Sequence, residues 1–493
     1  MSVAMPPRLV LRREIPSPPE PLLAPPPRLH PAPRHDMRCS VADAASYSVM
    51  VGIGETYLAA FALALGTGET FAGLIATMPM LVGAALQLAT PWGLRRCGSY
   101  RAWVVLCASL QATALLLIPA AVWLSGTTAA AMWVFAAATA YWAASQATGP
   151  AWNTWIEEII PKRVRAKFFA CRARTSQLFT LLGFVAGGIA LHLGDAHGFV
   201  LSAFVGIFLV GAACRFLSAA FLSQQSEPSK GRYHTRPVSL RQIVSQTSGD
   251  VGGRLVLYLL AVQVAVQISG PYFTPFMLAQ EKMSYLNYML LIGICFLGKA
   301  IAMPLWGRIA QVAGARRLLW IGGTGIVPIA GLWVFSDVFD HWQTTLHVHL
   351  GFASFDWPIS GEFIFLGCIQ LVSGIMWAAY ELAMLLMFFE AIPKQDRAGV
   401  LTFYNFGNAA ALVVGSLIGA AILQSLGETH NAYLILFGLS SLARLFTLPL
   451  LARTPNKQVE IGAQPAVRVI AVRPGDGGLD RPILPSLSEN EEW

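Results

Sequence analysis

Charge is scarce in this sequence. Only 12% of its 493 residues are Asp, Glu, Lys or Arg, about half the share of an ordinary soluble domain. So little charge cannot keep a globular surface in water. The devices of several other classes are missing as well. There is no Walker A loop, which argues against work driven by ATP bound to this chain. No fold or aromatic platform for nucleic acid appears, so a net charge of +8 needs another explanation. The seven cysteines, at positions 39, 97, 107, 171, 214, 295 and 368, fall in apolar runs or basic segments, and no structural disulfide is expected. A signal peptide is also absent. The first 36 residues contain eleven prolines and no apolar core, so residues 1–42 read as a Pro-rich disordered tail. Met37 sits just before the first apolar run and is an alternative start.

Apolar sequence is what the chain has in abundance. Hydrophobic residues make up 55% of it and the mean hydropathy is +0.56. They come in runs of about 20, enough to cross a hydrocarbon core of about 30 Å as helix. Twelve runs can be placed, near 43–65, 70–90, 102–124, 128–150, 175–193, 199–222, 255–278, 285–306, 318–335, 361–388, 400–424 and 432–452. Lipid offers no partners to backbone N–H and C=O groups, so the runs must be helices. They are apolar all round, unlike the alternating strands of a β-barrel. The expectation is an all-α membrane protein of twelve transmembrane helices. Residues 43–222 would form one six-helix bundle and 255–452 a second. A Ser-, Gln-, Gly- and Arg-rich linker at 223–254 would join them, and a tail would follow from 453.

Lys and Arg concentrate in alternate connections. Arg95, Arg96 and Arg101 follow helix 2, and six basic residues from Lys162 to Arg174 follow helix 4. Arg308, Arg316 and Arg317 follow helix 8, and Lys394 and Arg397 follow helix 10. The other connections contain one basic residue, Lys282. By the positive-inside rule both termini face the cytoplasm of a multi-pass protein in the cell membrane. These basic segments account for the net charge.

The halves repeat one another. The cassette EIIPKRVRA, Glu158 to Ala166, returns as EAIPKQDRA, Glu390 to Ala398. Each is followed at the same offset by a Gly-x-x-x-Gly pair, Gly183/Gly187 and Gly415/Gly419. Arg215 in CRFL and Arg444 in ARLF occupy similar settings, as do the turns PWGLRRCGSYR and GRIAQVAGARR. A duplicated bundle is the architecture most associated with moving a solute.

On these motifs the sequence resembles the major facilitator superfamily. Its Gly-x-x-x-Asp-x-x-Gly-basic turn is better kept after helix 8, with Gly307, Arg308, Gly314, Arg316 and Arg317 in place and Gln311 instead of the acid. After helix 2, Pro91 and Arg95 replace the first glycine and the acid. Glu158-x6-Arg165 and Glu390-x6-Arg397 resemble pairs that sugar porters carry, but the longer sugar-porter signature is absent. The resemblance implies two six-helix halves, with helices 1, 4, 7 and 10 around a central path and helices 6 and 12 at the periphery. It also implies a secondary transporter of unassigned substrate, working by alternating access.

Polar residues inside the apolar runs are the candidate site. Glu55 lies near the middle of helix 1, where a carboxylate costs at least about 2.5–3.5 kcal/mol. It is either a proton carrier or the partner of a buried cation. Glu381 in helix 10 is a second candidate. Lys299 in helix 8 would pair with an acid on a facing helix or bind an anionic solute. Gln263 and Gln267 share a face of helix 7, suited to a solute or to inter-helix hydrogen bonds. Helix 7 then breaks at Gly270, Pro271 and Pro275, a candidate hinge or a plain kink. Glu158, Arg165, Glu390 and Arg397, with Gly307, Arg308 and Gly314, are candidates for a cytoplasmic gate of weak, breakable ion pairs. Arg215 and Arg444, present in both halves, suggest a structural role. His341, His347 and His349 lack a tight ligand spacing, so neither metal nor cofactor is expected. The expected partners are a small-molecule solute, protons as coupling ion and the lipid bilayer, and the chain is expected to act as a monomer. Two readings remain beside transport. One is a transporter-like receptor or scaffold without flux. The other is an intramembrane enzyme, for which no catalytic motif appears in the helices.

Overall fold

A computed structural model describes residues 31–87, 90–160, 162–227, 251–339, 343–350, 353–391 and 397–453. Eleven helices among them are long and apolar enough to cross a membrane. They are α1 (Arg34–Ala64), α2 (Glu69–Leu86), α3 (Tyr100–Leu124), α5 (Cys171–Ala196), α6 (Val200–Ser223), α7 (Gly253–Gln280), α8 (Tyr285–Ala310), α9 (Ala315–Ser336), α10 (Gly361–Met387), α11 (Phe406–Leu426) and α12 (His430–Ala452). Between α3 and α5 runs a further helix, α4 (Thr128–Ile159), of 32 residues. At 1.5 Å per residue it is roughly 48 Å long.

The helices form two bundles with the same internal packing. In the first, α1 packs on α5 and α6, α2 on α4, and α3 on α4 and α6. In the second, α7 packs on α11 and α12, α8 on α10, and α9 on α10 and α12. The two most extensive contacts between bundles, α5 on α8 and α2 on α11, are also equivalents of one another, and α1 and α2 touch α7 as well. The duplication visible in the sequence is therefore a duplication of packing.

The Gly-x-x-x-Gly pairs explain how α1 and α7 are held. A Cβ on Gly183 would lie 2.6 Å from Val49 O, and one on Gly187 would lie 2.6 Å from the Tyr57 ring. A Cβ on Gly415 would lie 2.4 Å from Val264 O, and one on Gly419 would lie 2.2 Å from Ile268 O and 2.5 Å from the Tyr272 ring. Helix backbones approach this closely only where side chains are missing. Each tyrosine then donates to a carbonyl of the glycine-bearing helix, Tyr57 Oη to Phe184 O and Tyr272 Oη to Ser416 O, both at 2.6 Å. The paired turns after α2 and α8 match as well. Gly98 and Gly314 have φ of +62° and +82°, a region where a Cβ is penalised.

Three features differ from the sequence expectation. Helix is already present at Pro31, the first described residue, ahead of the membrane span and well before 43. One face of its polar early turns is buried, with Asp36, Ser40 and Asp43 inside and Arg34, His35 and Arg38 exposed. Asp36 accepts from Ser226 N at 2.9 Å, and Asp43 pairs with Arg172 at 2.9 Å. Met37 consequently lies inside this helix. Helix 1 also breaks at Gly54, with a 3-10 turn over Glu55–Tyr57. Thr56 Oγ1 donates to Val51 O at 3.0 Å there. Finally, the long α9–α10 connection contains an antiparallel hairpin, β1 (Gln343–Leu350) and β2 (Ala353–Ser360). Its register sets Leu346 opposite Trp357 and Val348 opposite Phe355, with His347 opposite Asp356. The alternating β-branched and aromatic residues of this stretch favour strand, a pattern that a reading in terms of helices passes over. His341 lies outside the described residues.

Gly419→Leu is expected to destabilise the detergent-solubilised protein by about 1–3 kcal/mol or more, as overpacking does. Gly438→Ala, whose Cβ would meet nothing within 4 Å, should leave the thermal unfolding midpoint nearly unchanged.

Candidate functional site

Two polar centres lie inside the bundles. In the first bundle, Glu55 occupies the break of α1 and is half-buried. Tyr141 on α4 donates to Glu55 Oε2 at 2.6 Å, and the same hydroxyl lies 3.2 Å from Met50 Sδ. A break in a membrane helix frees backbone polar groups and gives an acid somewhere to sit other than lipid. In the second bundle, Lys299 Nζ on α8 lies 2.7 Å from Glu381 Oε1 on α10. The side chains are 12% and 8% exposed, so this is a buried ion pair. Of the two roles open to Lys299, the structure shows pairing with an acid on a facing helix. Glu381 thus stands with Lys299 and Glu55 with Tyr141.

Gln263 and Gln267 are both buried on α7. Gln263 Oε1 and Nε2 and Gln267 Oε1 have no hydrogen-bond partner among the described residues. A buried polar group left unsatisfied costs about 1–3 kcal/mol. These amides therefore lie ready for a polar partner. Beyond them α7 changes form three times, with a 3-10 turn at Gly270–Tyr272, a helical turn at Phe273–Pro275 and a π turn at Phe276–Gln280. Pro271 and Pro275 each remove a backbone donor there. Together with the break in α1, this gives both bundles an interrupted first helix, each ending on the tyrosine that docks against a Gly-x-x-x-Gly pair.

A cavity of about 80 Å³ lies within the second bundle and is reached by Gly270, Lys299, Ser373, Trp377 and Arg444. Arg444 and its counterpart Arg215 are both buried. Arg215 donates to Gln111 Oε1 at 2.7 Å and to Ser218 Oγ at 2.6 Å, and Ser218 donates on to Asp43 at 2.7 Å. Asp43 also holds Arg172.

The basic connections, α2–α3 through α10–α11, define one face of the molecule. On it, Gly307 has open space around it, Arg308 is exposed, and Gly314 makes the left-handed turn. The side chains of the other gate candidates, Glu158, Arg165, Glu390 and Arg397, lie outside the described residues. The opposite face supplies contacts that the sequence did not announce. Glu69, at the start of α2, accepts from Gln280 Nε2 at 2.8 and 2.9 Å and from Tyr433 Oη at 2.6 Å. Thr70 donates to Glu428 in the α11–α12 turn, and Gln280 also reaches Glu428 O at 3.0 Å. Deeper in, Thr77 and Ser416 are 2.7 Å apart. Each of these pairs between the bundles lies away from the basic face. Glu69 sits between two apolar runs like any loop acid, so it carried no signal. The tyrosines carried one, since GETY and SGPY each interrupt the first apolar run of a half, ahead of that half's glycine pair. Among the described residues no group of three or more His, Cys, Asp or Glu could hold a metal ion.

A family model described as Major Facilitator Superfamily matches residues 41–355 and 255–485. No curated protein matches the chain. Several solved structures share its fold. A bacterial homologue of the iron transporter ferroportin, in an inward-facing state, superposes with a TM-score of 0.64 at 13% identity, over 85% of this chain and 98% of that one. The D-xylose–proton symporter gives 0.61 at 14% identity, over 87% and 99%. A variant of the nucleoside transporter NupG gives 0.60 at 12% identity, over 84% and 99%.

Breaking the buried pair should cost more than removing it. Lys299→Met or Glu381→Met alone is expected to destabilise by about 3–5 kcal/mol, whereas the double variant should recover most of that loss. Chemical unfolding of the four proteins measures the coupling.

Proposed function

The chain belongs to the major facilitator superfamily and is a membrane transporter; we propose that it moves a small solute by alternating access, along a path between its two bundles. The observation that carries this reading is the one-sided closure. Glu69, Gln280, Tyr433, Thr70 and Glu428 tie the bundles together on the face away from the basic connections. Positive charge marks the basic face as cytoplasmic, so both termini lie in the cytoplasm of a cell membrane and the closed face is the outer one. The arrangement is then inward-facing. The outer contacts are side-chain hydrogen bonds, which can break and re-form between two states separated by a few kcal/mol. The repeated Glu158/Arg165 and Glu390/Arg397 pairs act as their counterpart on the cytoplasmic face, and the break at Gly270, Pro271 and Pro275 acts as the outer hinge.

Glu55 is the proposed proton carrier. It is held by the Tyr141 hydroxyl at 2.6 Å, an arrangement that accepts either charge state with a small rotation of the O–H. The amides of Gln263 and Gln267 are the proposed polar contacts to the solute, because they are buried and unsatisfied. The chain acts as a carrier rather than an enzyme and works as a monomer.

The test is flux. A thermal-shift screen of purified protein against metabolites identifies stabilising solutes, since a ligand at 100 times its Kd adds about 2.7 kcal/mol. A stabilising solute should then accumulate in proteoliposomes under an imposed proton gradient. Binding without flux would leave a receptor or scaffold as the function. Glu55→Gln should abolish the dependence of flux on pH while binding persists; unchanged pH dependence removes Glu55 from the role. Glu69→Ala should open the outer face. Hydrogen bonds to a charged group contribute about 1.5–3 kcal/mol, so spin labels on the α1–α2 and α11–α12 connections should show the separated population rising at least about tenfold.

A further inference from the structure

The equivalent arginines of the two bundles are compensated differently. Arg215 belongs to a network that includes the carboxylate of Asp43, reached through Ser218. Arg444 is equally buried, at 3% exposure, but its hydrogen-bond partners among the described residues are neutral. One terminal nitrogen donates to Ile326 O at 2.9 Å and the other to Ser269 Oγ at 3.2 Å. Its Nε–H is buried and has no acceptor among the described residues. The spacing along the chain that relates Tyr57 to Tyr272 places Tyr258 where the first bundle has Asp43. The second bundle thus lacks the acid at the position where the first one has it. Lys299 lines the same cavity as Arg444, and Glu381 is engaged with Lys299. Among the described residues around this cavity, two cations share one carboxylate, which Lys299 holds, and a buried charge without a bonded counter-charge is strongly disfavoured.

We infer that the cavity inside the second bundle binds a small monocarboxylate, with Arg444 Nε–H donating to the carboxylate and Phe273, Trp333 and Trp377 enclosing an apolar body. The stoichiometry fits a monoanion, with one surplus charge and one open donor. A phosphate, with three acceptor oxygens and close to two charges, calls for more donors than this. The walls fit an apolar body, since Val266, Phe273, Ile329, Trp333 and Trp377 line the cavity beside the polar groups. The site lies within one bundle and is argued from charge, so it stands or falls separately from the path between the bundles and from flux.

Binding to purified full-length protein in a buffer of low chloride tests it. Propionate and acetate, small enough for a cavity of about 80 Å³, are the probes, propionamide is the neutral isostere and chloride the inorganic anion. Propionate should raise the unfolding midpoint saturably, while propionamide and chloride at equal concentration should not. Arg444→Gln should weaken propionate binding at least tenfold. If that variant does not fold, Ser373→Leu decides the matter, because it fills the cavity and keeps the guanidinium; it should abolish the shift. No propionate shift in the unmodified protein, an equal shift with propionamide or chloride, or a propionate shift kept in Arg444→Gln or in Ser373→Leu would overturn the inference.

Discussion

Close backbone contact at Gly183/Gly187 and at Gly415/Gly419 is the constraint on which the rest of this molecule depends. In lipid there is little hydrophobic gain from bringing two helices together, so association rests on packing and a few hydrogen bonds. Missing side chains let α5 receive α1, and α11 receive α7, with carbonyls where a Cβ would otherwise stand. Tyr57 and Tyr272 then fix the depth of each helix by donating to carbonyls of the partner. Both tyrosines lie at the end of a broken segment. Docking therefore fixes where each helix is interrupted, and so where Glu55 sits in one bundle and where Gly270 meets the cavity in the other.

A shared scaffold leaves room for polar groups to diverge. In the first bundle Asp43, Arg172, Arg215, Gln111 and Ser218 join into one hydrogen-bonded group. Such a group tolerates burial because its charges are hydrogen-bonded, one carboxylate serving two arginines. The second bundle places its buried acid, Glu381, against Lys299 on α8 and surrounds Arg444 with serines and a carbonyl. The duplication thus preserved the frame and rearranged the charge, and in a low-dielectric interior charge is what recognises a solute.

Between the bundles the contacts are of a different kind. Within a bundle, backbones touch and arginines are buried; between bundles, side chains meet, with Gly73 against the Tyr272 ring, Gly188 against Met289, and Glu69 shared by Gln280 and Tyr433. Contacts of the first kind set backbone against backbone, whereas those of the second are made by side chains, which can turn away from one another. A molecule built this way keeps each bundle rigid and leaves the junction free to part, which is the mechanical requirement of alternating access.

The architecture was legible because lipid permits few solutions. Twelve apolar runs had to be helices, and the repeated cassette with its glycines had to mark two related bundles. The pairing of Lys299 was legible as a choice between two roles, since a buried cation needs an acid. Less was visible where local sequence is silent about distance. The helix ahead of residue 43 was hidden because Asp36 and Asp43 look solvated until Ser226 and Arg172 are brought to them across the fold. Glu69 looked like any loop acid, for nothing near it in the chain names Gln280 or Tyr433. The symmetry of Arg215 and Arg444 suggested one shared structural role, whereas their surroundings differ. Sequence by itself determined the number of helices, the repeat and the small residues at contacts, because these follow from solvation and local sterics. Only the tertiary structure decided which charges are matched and which face is closed, because those depend on partners tens to hundreds of residues away.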